Sequence, residues 1–292
     1  MRIIYYTSGI TGSGRIVRGI AIGNALRRKG LDAEYAILSS SDFAFLCDEL
    51  KFAHREIPLE DEEALSDRNY KSSHLFNELS RLRPDVLIVD LLWFPLYHFI
   101  GDLACKKIFL CRQVNDRFFQ MELNGGLLDF NPDAFDFVLR IEPFDSKVRM
   151  KAISPIIVRN RDELLSREQA CARIGLSHNE QNCLIAYNGE PGEYHQVVKE
   201  YSYLQEQGYV LKFSSNYENG LFPIADYYNA FDLVVCGAGY NFFWEMIYFN
   251  KEAIFVPAVR TFETGQRRMR EYRDFDFSQN GADQLVDEYL LS

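Results

Sequence analysis

The residues best suited to chemistry lie between positions 232 and 270. A short apolar run, Leu233 to Cys236, precedes Gly237-Ala238-Gly239, and a segment with helical spacing begins at about Tyr240. A buried strand, a loop of small residues and a helix N-terminus together form a phosphate site, because the first N–H groups of a helix lack internal partners. The positive end of the helix dipole adds to the attraction. The sequence therefore predicts that a diphosphate binds at Gly237–Gly239.

Polar side chains follow where the rest of such a ligand would lie. Asn241 falls in the first helical turn, and Glu245 lies four residues later, on the same helical face. A carboxylate accepts two hydrogen bonds, which suits a ribose diol. Glu263 and Gln266 follow the next predicted strand, Ala253 to Val256, and could contact sugar hydroxyls. The alternative interpretation of the stretch is an ordinary βαβ unit with a Gly-rich turn.

This stretch resembles the donor-binding segment of GT-B glycosyltransferases, especially the MurG-like family 28 group. That segment has a Gly-rich turn, a helical Glu, a Val-Pro strand end, and an acidic residue followed by Gln. The matching residues are Gly237, Gly239, Glu245, Val256-Pro257, Glu263 and Gln266. The resemblance implies that Glu245 binds the ribose and that Gln266 contacts the sugar. Phe242 and Phe243 depart from it, since small or hydroxyl residues are frequent there in the family.

A second loop of small residues precedes the first predicted helix. The stretch Gly12-Ser13-Gly14-Arg15-Ile16-Val17-Arg18 resembles the GxGH-x-x-R loop of the same group, with Arg15 in place of the usual His. The resemblance implies that Gly12, Gly14 and Arg18 contact substrate. The family His can act as a base, whereas Arg keeps its proton at neutral pH. We therefore expect Arg15 to stabilise the leaving diphosphate.

The base that deprotonates an acceptor must then come from elsewhere. Asp90 directly follows the fourth predicted strand, Val86 to Val89, and ligands of open α/β sheets bind at the carboxyl ends of strands. Asp90 is therefore the expected base, and its alternative role is to cap the next segment. His98 and His195 are the other candidates, although a surface or core position is more usual for such a histidine.

Two clusters near the C-terminus are interpreted as non-catalytic. Asp274-Phe275-Asp276 has the DxD form with which GT-A transferases hold a metal, but here it follows a basic helix rather than a strand. The four arginines between positions 267 and 273 are typical of a solvated helix face, and an anionic acceptor or a membrane surface is their alternative partner. We therefore expect no metal and no cofactor, with a nucleotide sugar as the substrate.

Predicted strands and helices alternate along the chain, which indicates parallel sheets covered on both faces. Each half begins with a strand and a Gly-rich loop; the second loop starts at Asn188 and Gly189, which we also expect to contact the donor. The predicted fold is α/β, with two Rossmann-like domains that face a cleft, the GT-B architecture. Residues 1–150 would form the acceptor-side domain and 151–278 the nucleotide-sugar domain. A helix over 279–292 would pack back on the first domain.

Composition limits the possible partners and the location. The net charge of −10 over 292 residues argues against a nucleic-acid partner. The six cysteines include no CxxC pair, which predicts reduced thiols. The start of the chain does not resemble a signal peptide, and no apolar run has the length of a membrane span. We expect a cytoplasmic protein with at most peripheral membrane contact.

These inferences predict a glycosyltransferase that moves a sugar from a nucleotide-sugar donor, with UDP as the expected nucleotide, to an acceptor hydroxyl. The acceptor is not identified by the sequence; a glycan and a lipid-linked sugar are the options considered. A UDP-sugar hydrolase of the same fold is the alternative enzyme, because its loop is closely similar. A non-catalytic protein that binds nucleotide sugars is the third possibility.

Donor binding is predicted to be independent of metal, because backbone N–H groups rather than a DxD motif would hold the diphosphate. Calorimetric titration with UDP should give the same affinity in EDTA as in Mg²⁺. A strict requirement for Mg²⁺ would contradict this expectation.

Overall fold

The computed structural model describes residues 1–8, 12–123, 125–189, 191–218, 220–256 and 265–291. Of Pro191 it describes the backbone alone. The strands are β1 (Arg2–Thr7), β2 (Glu34–Ser39), β3 (Ala53–Glu56), β4 (Val86–Asp90), β5 (Lys106–Cys111), β6 (Gln120–Leu123), β7 (Gly126–Asp129), β8 (Phe137–Arg140), β9 (Lys151–Ala152), β10 (Asn182–Ala186), β11 (Val210–Ser214), β12 (Leu233–Gly237) and β13 (Ala253–Val256). The helices are α1 (Gly14–Arg28), α2 (Phe45–Glu49), α3 (His74–Leu82), α4 (Arg167–Ile174), α5 (Pro191–Tyr201), α6 (Tyr240–Tyr248), α7 (Gly265–Tyr272) and α8 (Gly281–Leu285). Short helical turns lie at Tyr70–Ser72, Phe94–Leu96, Ile100–Asp102, Asp116–Phe119, Pro132–Ala134, Arg161–Glu163, Ser202–Gln205, Asn216–Glu218 and Ile224–Ala230, and a wider turn, Val286–Leu290, continues α8.

Two parallel sheets organise the chain. The first has seven strands in the order β3-β2-β1-β4-β5-β8-β9, and the second has four in the order β11-β10-β12-β13. Every pairing within these sheets is parallel, as the alternation of strands and helices predicts. An antiparallel hairpin, β6–β7, is the element that this alternation does not predict. The parallel α/β fold expected from the sequence is therefore confirmed.

The inner strands are apolar along nearly their whole length because helices cover both faces of the sheets. β4 is buried at all five positions, and β12 is buried at its first four. Buried side chains from both sheets, from the connection 153–158 and from the C-terminal segment form one continuous core. The two sheets therefore share part of their apolar interior.

The C-terminal segment lies against α1 of the first sheet. Arg28 Nη2 contacts Asp283 Oδ1 at 2.6 Å, and Lys29 Nζ contacts Asp287 Oδ2 at 2.6 Å. The ring of Tyr289 meets that of Phe137 edge-on, with 5.0 Å between centroids. These contacts fasten the end of the chain to its N-terminal half, while the domain boundaries at 150 and 278 stay predictions.

None of the helices in the described part of the chain has the length and apolar character needed to cross a bilayer.

Gly281 is the first residue of α8, and it lies so close to the connection 153–158 that it has no room for a side chain. A Cβ atom there would lie 1.9 Å from the backbone oxygen of Ser154. We predict that Gly281→Ala lowers the free energy of unfolding by about 1–3 kcal/mol, because the clash outweighs the better helix propensity of alanine.

Gly101→Ala is the matched control, since a Cβ atom at Gly101 meets no atom within 4 Å. Urea unfolding of both variants measures the effect. Equal stability of the two variants would show that the end of the chain does not need this close contact.

Candidate active site

A cavity of about 560 Å³ lies where the carboxyl ends of strands from both sheets come together. Its walls come from the residues that directly follow β4, β5, β10, β11 and β12, and from the N-terminal turns of α1 and α6. Its described lining includes Gly12, Ser13, Gly14, Arg15, Arg18, Leu91, Leu92, Phe94, Arg112, Val114, Phe118, Met121, Asn188, Gly189, Asn216, Gly237, Ala238, Gly239, Tyr240, Asn241 and Glu245. The strand-end rule for α/β sheets thus places the cavity as the sequence predicts.

The N-termini of α1 and α6 meet at this cavity. Asn241 Nδ2 in the first turn of α6 donates to the backbone oxygen of Gly14, at 3.0 Å. In the part of the chain that the structure describes, no side chain caps the first N–H groups of either helix, and neither first turn holds an acidic residue. Two partial positive charges therefore converge on one space, which is the electrostatic environment of an anion site.

The other Gly-rich loop joins the same group of contacts. Asn216 Nδ2 donates to Ser13 Oγ at 2.6 Å, and the Asn216 amide donates to Asn188 Oδ1 at 2.7 Å. Gly12 has a φ of +72°, which favours glycine. A Cβ atom at this position would lie 3.5 Å from the backbone oxygen of Asn188. The structure thus brings together Gly12, Gly14, Asn188, Gly189 and the loop at Gly237–Gly239, which the sequence places far apart.

Glu245 lies one helical turn beyond Asn241 and contributes to the wall of the cavity. Its side chain is buried, and Tyr228 Oη donates to Glu245 Oε2 at 2.5 Å. Burial raises the pKa of this carboxyl to about 7, and the hydrogen bond from Tyr228 opposes the rise. The position suits the expected contact with a ribose, and the raised pKa makes the group sensitive to pH near neutrality.

Asp90 and Arg18 form a fully buried ion pair. Arg18 Nε and Nη2 lie 2.9 and 2.8 Å from Asp90 Oδ2, and Tyr5 Oη also donates to that oxygen. Burial alone would lower the pKa of Arg18, but the charge and hydrogen bond of Asp90, together with Tyr5 and Tyr240, outweigh burial and raise the pKa. Arg18 lines the cavity, whereas Asp90 lies behind it and is not among the described lining residues. This geometry gives Asp90 a charge-compensating position, and its role as a base stays a prediction.

Two further arginines add positive charge to the wall. Arg15 directly follows Gly14 and donates to the Ser8 oxygen, and burial is the main cause that lowers its pKa. Arg112 directly follows β5, and its pKa is lowered to about 9 by burial and by the charges of Arg18, Arg15 and Arg268. Sequence analysis missed Arg112, although its place after a strand, like that of Asp90, is a usable signal.

Glu142 and Arg268 form a second buried ion pair, between the two halves of the chain. Arg268 Nε and Nη2 lie 2.7 and 2.9 Å from the Glu142 oxygens, and Arg268 Nη1 lies 3.0 Å from the Ala238 oxygen. The prediction of a solvated arginine face on α7 is wrong at Arg268, whose exposed fraction is 0%. The reason is a partner 126 positions away, which no local pattern indicates.

The remaining candidates lie outside the cavity or outside the described residues. Glu263 belongs to the residues that the structure does not describe, and Gln266 is exposed at the start of α7. His98 lies 3.7 Å from Asp67, and His195 lies 3.3 Å from Glu218. No group of three or more His, Cys, Asp or Glu side chains suited to a metal occurs within the described ranges.

Comparison with known proteins identifies the fold. The Streptomyces sp. SF2575 glycosyltransferase SsfS6, complexed with thymidine diphosphate, has a TM-score of 0.56 at 15% identity, over 89% of this chain and 82% of that one. Spinosyn rhamnosyltransferase SpnG, complexed with thymidine diphosphate, has 0.58 at 12% identity, over 89% and 81%. Acinetobacter baumannii MurG has 0.52 at 11% identity, over 100% and 91%. At such identities the likeness establishes the fold alone.

The chain therefore has the fold of GT-B glycosyltransferases. Within that class, residues 168–288 match the family described as the glycosyltransferase family 28 C-terminal domain, so the predicted resemblance is confirmed. The matched segment contains the loop at Gly237–Gly239 and Glu245, on which the resemblance depends. No curated protein matches the chain in sequence.

The raised pKa of Glu245 predicts how stability depends on pH. Between about 4.5 and about 7 the unfolded chain has released this proton while the folded protein still holds it. Stability should therefore fall as pH rises through this window, by about 3 kcal/mol in all, and level off above it.

The measurement is the urea unfolding free energy of the wild type and of Glu245→Gln from pH 4.5 to 8. The glutamine variant cannot titrate, so its stability should increase relative to the wild type as pH rises. A difference that does not change with pH would contradict the assignment of this titration to Glu245.

Proposed function

We propose that the protein transfers a sugar from a nucleotide-sugar donor to an acceptor hydroxyl. The observation that carries the proposal is the meeting of the uncapped N-termini of α1 and α6 at one cavity, beside Arg15 and Arg112. Two helix dipoles and these arginines suit a ligand with several negative charges, such as a nucleoside diphosphate. The shared fold with glycosyltransferases supports the reaction type.

In the proposed mechanism, the diphosphate binds at Gly237–Gly239 and the ribose at Glu245. The bond between the anomeric carbon and the diphosphate oxygen breaks, and its electron pair leaves with the nucleotide. Backbone N–H groups and Arg15 stabilise the charge that develops on this oxygen. The acceptor oxygen bonds to the anomeric carbon and gives its proton to a base, for which Asp90 is the proposed group. Glu263 and Gln266 are the proposed contacts of the sugar.

We propose a uridine nucleotide, as the resemblance implies. The thymidine diphosphate complexes of SsfS6 and SpnG make a thymidine nucleotide the alternative. The nucleotide sugar is a substrate, and no metal or other cofactor is proposed. A cytoplasmic location also stays a proposal.

The acceptor is proposed to carry an apolar body. Apart from Arg112, the part of the cavity wall that follows β4 and β5 is formed by apolar side chains, which are Leu91, Leu92, Phe94, Val114 and Phe118, with Met121 from β6. Removal of such side chains from water favours an apolar partner over a fully hydrated one. A lipid-linked sugar or a glycan with an aglycone meets this description, whereas nucleic acid does not.

A binding protein without transferase activity is the second candidate, and one observation favours it. Among the described residues that line the cavity, Glu245 is the single carboxylate, and none is a histidine. Asp90 is held by Arg18 and Tyr5. An effective base would then require Arg18 to release Asp90.

The test is a titration with UDP, GDP and dTDP sugars, followed by assay of nucleotide release with and without alkyl glycoside acceptors. Release that an acceptor accelerates, together with a glycosylated product, supports the transferase. Rapid release without an acceptor indicates a hydrolase. Tight binding without turnover indicates the binding protein, and the failure of every nucleotide to bind would exclude all three functions.

Arg15 variants test the proposed stabilisation of the leaving group. We predict that Arg15→Ala lowers turnover at saturating donor by about 100-fold, the usual effect of removing one such donor. Arg15→His should not raise turnover, because the proposed base lies elsewhere. Arg27→Ala is the control, since Arg27 is remote from the cavity and donates to the backbone of Leu50 and Lys51. A large gain for the histidine variant would show that catalysis has decayed from the family pattern.

A further inference from the structure

Glu142 lies two residues after the end of β8 and contacts three segments of the chain that converge beside the cavity. We infer that Glu142 acts through Arg268 as a positioning device, which holds the Gly237–Gly239 loop in the conformation that receives a diphosphate. The identity of the ligand rests on the proposed function. The arrangement of the loop rests on contacts that are independent of it.

The Glu142 carboxylate accepts four hydrogen bonds in a fully buried place. Two come from the Arg268 guanidinium, at 2.7 and 2.9 Å. One comes from Trp244 Nε1 of α6, at 2.7 Å, and one from the backbone N–H of Gln113, at 2.7 Å. The two-pronged contact fixes the plane of the guanidinium as well as its position. Arg268 consequently has one orientation that satisfies Glu142.

In that orientation the third guanidinium nitrogen of Arg268, Nη1, contacts the Gly237–Gly239 loop. Arg268 Nη1 donates to the backbone oxygen of Ala238, at 3.0 Å. This oxygen belongs to the same planar trans peptide group as the N–H of Gly239, so the two groups point in opposite directions. Fixing the oxygen on Arg268 therefore also fixes the direction of the first N–H group before α6.

Two more contacts leave the loop little freedom to turn. The Ala238 amide donates to the Val256 oxygen of β13, at 3.2 Å. Gly265, at the start of α7, packs so tightly that a Cβ atom there would lie 2.7 Å from the Ala238 Cβ atom. Arg268, β13 and α7 thus hold Ala238 by its carbonyl oxygen, its amide and its side chain.

The device links the two halves of the chain, because Glu142 follows β8 of the seven-stranded sheet and the loop follows β12 of the four-stranded sheet. Burial alone would raise the pKa of Glu142, but the charge and hydrogen bonds of Arg268, together with the hydrogen bonds from Gln113 and Trp244, outweigh burial and keep the pKa below its ordinary value. The pair is therefore ionised, and its charges compensate each other. The conformation of the Gly237–Gly239 loop then depends on the ion pair that joins the two halves of the chain.

Arg268→Lys separates the ion pair from the loop contact. An ammonium group can still neutralise Glu142, but it lacks the planar fork that reaches Glu142 and the Ala238 oxygen together. We expect the dissociation constant of UDP, or of TDP if that binds better, to rise about tenfold. The constant of the nucleoside alone, uridine or thymidine, should change less than about twofold, because the nucleoside does not reach the loop.

Arg267→Lys is the matched control, because Arg267 is the neighbouring residue and pairs at the surface of α7 with Glu271. It should leave both constants unchanged. Equal weakening of nucleoside and nucleotide in Arg268→Lys, together with a lower melting temperature, would mean that Arg268 serves only stability. Unchanged nucleotide affinity would also overturn the inference.

Hydrogen exchange of the free protein decides the case if the wild type binds no nucleotide, an outcome that would remove the proposed function. Arg268→Lys should then exchange faster at the amides of 238–241, while α1 keeps its protection. Unchanged exchange at those amides would overturn the positioning role even though no ligand is known.

Discussion

The contact on which the rest of the structure depends is the buried ion pair between Glu142 and Arg268. The carboxylate comes from the seven-stranded half and the guanidinium from the four-stranded half, and both are out of contact with water. Removal of either partner would leave a buried charge uncompensated, which typically costs about 3–5 kcal/mol. The relative position of the two sheets, and with it the shape of the cavity, is therefore set by charge compensation as well as by apolar packing.

A second buried pair, Arg18 with Asp90, lies near the same aromatic ring as Arg268, that of Tyr240. The guanidinium carbons of Arg18 and Arg268 lie 5.0 and 6.0 Å from the centre of the Tyr240 ring. Tyr240 Oη also bridges two backbone groups, at Ile141 and Ile156. Two ion pairs and one ring thus support the first turn of α6, which explains how an uncapped helix N-terminus can stay ordered between two sheets.

The sequence predicts the parts of this site that depend on local patterns. Local patterns of a few residues are enough to predict three features. These are the small residues after a strand, a helical carboxylate such as Glu245, and the order of strands and helices. The partners of Asp90 and Arg268 cannot be read in this way, because they lie 72 and 126 positions away. The basic composition of α7 predicts a solvated face, whereas tertiary contact with Glu142 buries one of its arginines. Arg112 has only its place after β5 as a signal.

The distribution of charge indicates which part of the proposed reaction the cavity would serve best. Its described lining carries Arg15 and Arg112, with Arg18 compensated by Asp90, against a single lining carboxylate, Glu245, and two helix N-termini add positive potential. A general base contributes about 10²–10⁴-fold to a rate, whereas electrostatic stabilisation of a developing anion is commonly the largest single effect. In the proposed reaction, this distribution of charge favours departure of a diphosphate. The proposed stabilisation by the loops does not require Asp90 to leave Arg18, so the proposed bond cleavage at the donor depends less on a base than the proposed activation of the acceptor does.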